Sequence, residues 1–192
     1  MPLPPPTVER TSSHTRRIVC EGFERADGLY DVDGWLTDVK GFTFVTPIRG
    51  ELPAGEFQHG LGMRVTIDPD FMIKNVITVM DATPSKHCLG AAPNFARLIG
   101  LKLVPGFNRT ARTVLDGTLG CTHLIDLLGP MATTAHQTIW AKRFRPATGA
   151  SGDDKSPPPI VNSCRGWAED GVLVGTAYPQ FYTGPAFSLP ER

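Results

Sequence analysis

Two histidines, His59 and His123, and a set of acids and bases around them are the residues of this 192-residue chain best suited to chemistry at neutral pH. An imidazole titrates near about 6.5, so it can give or take a proton without help from a cofactor. His123 lies in the apolar run Gly120-Cys-Thr-His-Leu-Ile-Asp-Leu-Leu128. At helical spacing it shares a face with Asp126, with Thr133 and Thr134 about three turns further on. His59 falls on the alternation Phe57, His59, Leu61, Met63, Val65, Ile67, which carries it onto the buried side of a strand. The strand before it has Tyr30, Val32, Gly34, Leu36, Asp38 and Lys40 on one face, ending in a carboxylate and an ammonium. A cleft between sheet and helix would collect Tyr30, Asp38, Lys40, His59, His123 and Asp126, enough acids and bases for proton transfer. Asp81, followed by Thr83-Pro84, closes the next strand and is a further polar candidate for the substrate. Each has a plainer reading: a hydrogen-bonded core histidine for His59, a solvated strand end for Asp38 and Lys40, a helix entrance and surface pair for Thr122, His123 and Asp126, a turn aspartate for Asp81.

The elements that must position these groups follow from a change of period. Strands are expected over 17–24, 29–40, 56–67 and 72–81, joined by turns such as Ala26-Asp27-Gly28 and Asp68-Pro69-Asp70. They make an antiparallel meander. After Pro84 the spacing becomes helical, with short helices over 93–99 and 108–115, then a long one. Pro130 lacks an amide donor and clashes with the preceding turn, so with Gly129 it should kink or split that helix into 119–129 and 131–143. The fold class is α+β: an N-terminal antiparallel sheet over 15–82 under a C-terminal helical layer over 92–143 with a long kinked helix.

Four segments divide the chain. Residues 1–14 form a proline-rich extended arm, 15–145 the α+β body, 146–159 a linker, and 160–192 an aromatic-containing segment that docks on the body or on a second subunit. The arm and this last segment favour a homodimer.

Nineteen basic and nineteen acidic residues leave no net charge and no basic stripe, which argues against nucleic acid. Met1-Pro-Leu-Pro-Pro-Pro6 lacks the cationic and apolar regions of a secretory signal, and no run approaches a membrane span. A cytoplasmic protein away from the membrane is expected, its four scattered cysteines reduced. His87-Cys88 and Cys121-Thr-His123 offer soft metal ligands, and a metal enzyme using Cys88, Cys121 and His123 is one alternative. A single intervening residue rarely lets both side chains reach one ion, so the first expectation is no metal and no cofactor. Motifs for nucleotide binding, zinc proteolysis and hydrolase-type acyl transfer are lacking.

Several blocks taken together, His14-Thr-Arg-Arg-Ile-Val-Cys20, the run from Asp27 to Lys40, Met63-Arg-Val-Thr-Ile-Asp68, Asp81-Ala-Thr-Pro84, and Gly120-Cys-Thr-His-Leu124 with Leu127-Leu-Gly-Pro130, resemble a bacterial family catalogued mainly as a domain of unknown function. Its members are typical of bacteria that degrade aromatic compounds. The resemblance implies a γ-formaldehyde lyase that acts on phenylcoumaran dimers from lignin, opening the ring and releasing formaldehyde to leave a stilbene. In that reaction His59 and His123 would serve as bases, Lys40 or Tyr30 would stabilise or protonate the phenolate, and Asp126, Thr133, Thr134 and Asp81 would contact the aromatic substrate. The rival is a protein that only binds an aromatic ligand or assembles with a partner.

Overall fold

The computed structural model describes residues 3–143 and 156–185. The chain forms two compact units, Met1–Trp140 and Ala141–Arg192. In the first, four long strands, β1 (His14–Glu24), β2 (Tyr30–Lys40), β5 (Phe57–Ile67) and β6 (Ile73–Ala82), make an antiparallel sheet in the order β1-β2-β5-β6. The expected meander is present. It carries one insertion that the alternation of residues did not reveal: a hairpin of β3 (Phe44–Thr46) and β4 (Gly50–Leu52) between β2 and β5. Strands of three residues are too short for a period of two to show.

The β-to-α change comes where expected. A 3-10 segment, Lys86–Leu98, longer than the expected 93–99 helix, starts at a Ser85 cap whose hydroxyl accepts from the His87 amide at 3.2 Å. The helices α1 (Phe107–Val114) and α2 (Thr122–Arg143) follow. Pro130 does not divide α2, which runs unbroken through it. Leu124, Leu127, Leu128, Met131, Ala135 and Ile139 recur at helical spacing and are all buried. Burying one such side chain contributes about 1.5–3 kcal/mol, so this stripe outweighs the roughly 3 kcal/mol that an interior proline costs.

Two glycines set how closely α2 lies on the sheet. A β-carbon on Gly34 would come 2.6 Å from Met131 Sδ, and one on Gly22 would collide with the Thr138 hydroxyl. Contact this intimate leaves the N-terminal turn of α2 over the end of β2. Val32, Leu36, Leu61 and Met63 complete the core from the sheet side, with Phe95 and Leu98 from the 3-10 segment.

One face assignment from the sequence fails. Phe57 is 49% exposed, although His59 two residues on is buried. A bulge is the reason: Asp38 opposes His59 and Val39 opposes Phe57, leaving Gln58 as the extra residue, so the alternation resets there.

The second unit, among its described residues, holds 3-10 turns at Arg165–Trp167 and Pro179–Phe181 around a short helix α3 (Val172–Ala177). Val174 is fully buried, and the rings of Trp167 and Tyr178 stand 6.1 Å apart. The linker expected at 146–159 lies mostly outside the described residues. No helix among those described is long and apolar enough to cross a membrane.

Candidate active site

Register builds the site. Arg16 of β1, Asp38 of β2 and His59 of β5 are direct neighbours across three strands, and all three face the helices. His14, two residues before Arg16, shares that face. From above, the first turn of α2 supplies His123, and Asp126 follows one turn on.

Asp38 is the hub. Its carboxylate is 1% exposed yet fully engaged. Arg16 donates through Nε to Oδ1 and through Nη2 to Oδ2, each at 2.9 Å, a two-pronged grip. His14 Nε2 lies 3.1 Å from Oδ1 and His59 Nδ1 3.0 Å from Oδ2. His123 Nε2 stands 3.7 Å from the same Oδ2. The rings of His59 and His123 stack with centroids 3.7 Å apart. Arg16 also reaches outward, donating through Nη1 to Asp126 at 2.9 Å, and Arg112 of α1 stands 3.7 Å from the other Asp126 oxygen.

These contacts fix protonation states. Burial would raise the Asp38 carboxyl, but the hydrogen bonds and charge of Arg16 outweigh it and hold the group below the ordinary carboxylate range. Asp38 is therefore an anion that accepts from Arg16, His14 and His59. Burial pushes the His59 imidazole down, aided by the neighbouring His123, and this exceeds the pull of Asp38. His123 is lowered too, first by burial and then by Arg16. At neutral pH both rings are uncharged. An anionic acceptor at Nδ1 places the His59 proton there and leaves Nε2 with its lone pair, the state of a general base.

The structure thus joins four of the expected residues, Asp38, His59, His123 and Asp126, into one network. Others fall outside it. Tyr30 is at the far end of β2, opposite Ile67, eight residues from Asp38 or about 27 Å along a strand. Thr133 and Thr134 lie about 15 Å up α2 from His123 and spend their hydroxyls on the carbonyls of Gly129 and Pro130. Spacing in whole turns shared the face but ignored the length. Asp81 is exposed at the β6 bulge, with no hydrogen bond to the cluster. Lys40 borders the site opposite His14 and forms no ion pair among the described residues.

His14 and Arg16 were missed as functional residues. Their signal was present: they share the β1 alternation with Ile18 and Cys20, so two charged groups sit on a helix-facing side.

As for a metal, the ligand atoms of Asp38, His59 and His123 all lie within 4.8 Å of one another, and among the described residues they are the group that could converge on an ion. Cys88 and Cys121 are not part of it, which corrects the expected cysteine set. Against an ion stands Arg16, a fixed cation bonded to both oxygens of the required carboxylate. Each unit of like charge at 4 Å costs about 4 kcal/mol near a protein surface.

Comparison with protein-family models matches residues 14–137 to the family described as protein of unknown function (DUF2889). The match begins at His14 and takes in every member of the cluster. Comparison with curated proteins gave no match, nor did comparison with solved structures.

Proposed function

The chain belongs to the DUF2889 family, and we propose that it is a cofactor-independent lyase whose proton transfers are carried by His59 and His123 on the Asp38 hub. The observation that carries this reading is the pair of neutral, stacked imidazoles beside one buried carboxylate, with an open nitrogen on His59. Two bases and a reservoir of fixed charge suit a substrate that must lose two protons.

The substrate class is a lignin-derived phenylcoumaran with a free phenol and a primary alcohol. One base takes the phenolic proton, and the benzylic carbon–oxygen bond of the five-membered ring breaks, giving a quinone methide and a phenolate on the second ring. The other base takes the alcohol proton, and the bond from that carbon to the ring-derived carbon breaks. Formaldehyde leaves, the electron pair forms the stilbene double bond, and the first ring regains aromaticity. The two protons return to the two phenolates, so no oxidant or reductant is consumed. Asp38 holds the His59 ring and stabilises its cationic form after proton uptake. Arg16 and His14 keep Asp38 anionic. A cytoplasmic homodimer completes the reading.

The test is incubation of the purified chain with such a dimer, reading stilbene absorbance and free formaldehyde. Equal amounts of both products, with none from an analogue whose phenol is methylated, support the reaction. No turnover across a panel of phenylcoumarans refutes it.

A second reading, a divalent-metal enzyme held by Asp38, His59 and His123, is favoured by the convergence of their ligand atoms. Near-stoichiometric metal in the purified protein, lost together with activity on chelation, would select it.

A further inference from the structure

The sheet has a second face, turned away from the helices, and its composition is unusual for a surface. Val19, Trp35, Gly62 and Val79 are register neighbours across all four strands and form one row over the middle of the sheet. Val19 is 53% exposed, Trp35 42% and Val79 39%. The Trp35 ring lies against Gly62: a β-carbon there would come 2.8 Å from both the indole and Val79. Glycine at that position lets the indole bridge β2 to β6 and makes the row smooth. Ile77 and Phe23 extend the apolar surface along the strands.

Charge divides this face about the row. On one side are Glu21, Asp33, Arg64 and Asp31, on the other Arg17. Arg64 pairs with Asp33 and Arg25 with Asp31, leaving Glu21 as the acid on the first side without an ion pair among the described residues. Glu21 and Arg17 are exposed, equally spaced from Val19 on the same strand, and neither forms an ion pair among the described residues.

We propose that this face is the interface of a homodimer whose two-fold axis runs along the Val19–Trp35–Gly62–Val79 row. That operation turns each strand over onto its own copy. Trp35 then meets the partner copy's tryptophan at the centre, and Glu21 on each protomer faces the other protomer's Arg17, twice over. The occupant is a second copy because the opposite charges are equidistant from the row, so the two-fold sets each against its complement. Aligned packing of two antiparallel sheets about 10 Å apart is a common arrangement. Four strands of this length span roughly 650 Å² of face, close to the about 800 Å² per partner of a stable interface. This interface specifies the homodimer of the proposed function, and because the Asp38 cluster lies on the opposite, helix-facing side, it stands or falls separately from the lyase chemistry.

The experiment is sedimentation equilibrium on the full chain from 1 to 100 µM. A dimer of twice 20.8 kDa is expected for the wild type, and a single chain for Trp35→Lys with unchanged circular dichroism. Charge reversal provides the second arm. Glu21→Arg alone and Arg17→Glu alone each raise the dissociation constant at least tenfold, whereas the double variant returns to within about threefold of wild type, since it restores both pairs. A monomeric wild type overturns the proposal. So does a dimer indifferent to Trp35→Lys, or a double reversal weaker than either single one.

Discussion

Asp38 and His59 stand directly opposite each other on neighbouring antiparallel strands, and their side chains meet at 3.0 Å beneath the first turn of α2. Strand register alone sets this contact. It places an imidazole against a carboxylate that Arg16 keeps charged, and the behaviour of the cluster follows from that.

Removing the hub charge affects both folding and turnover. Asp38→Asn leaves Arg16 without its counter-charge and offers the histidines an amide in place of an anion. The expected loss is roughly 2–4 kcal/mol in urea unfolding, below the value for a fully buried pair because Arg16 is 36% exposed. Turnover in the phenylcoumaran assay falls more steeply than the folded fraction does, since His59 loses the partner that fixes its tautomer.

The two histidines have separate consequences for activity and folding. If both act as bases, His59→Asn and His123→Asn each reduce turnover by about 10²- to 10⁴-fold. Full activity in either variant, measured by formaldehyde release, removes that residue from the mechanism.

Acid should weaken the fold, and the sign follows from the depressed imidazoles. A histidine whose pKa is lower folded than unfolded binds fewer protons in the folded state, so its contribution is complete above about 6.5 and is lost as pH falls through the folded value. Melting temperature measured from pH 8 to pH 5 should therefore drop below about 6.5. Replacing both His59 and His123 by Asn should flatten that drop, and a slope equal to wild type would contradict the assignment.

Close approach of α2 gives a test of packing. Gly22→Ala drives a methyl into the β-branched, poorly adaptable side chain of Thr138. A cost of about 1–3 kcal/mol is expected by denaturant titration. Gly90→Ala, where nothing lies within 4 Å, is the control and should stay within about 0.5 kcal/mol.

Much of the architecture is local and was therefore readable in the sequence. Strand alternation, turn residues and the switch to helical spacing after Pro84 specify the α+β class, the meander and the helical layer, because each depends on neighbours a few residues apart. The same local rules put Asp38 and His59 on the buried face and His123 in the first turn of the last long helix of the body. They could not pair these residues with His14 and Arg16, which are 22 to 110 positions distant in the chain from the groups they join. Nor could they exclude Tyr30, Thr133 and Thr134, which share the right faces at the wrong distance. Face follows from period, whereas position along a strand or helix acquires meaning only when register and packing bring two elements together. The bulge at Gln58 and the survival of α2 through Pro130 belong to the same class, since cross-strand pairing decided the one and burial against the sheet the other.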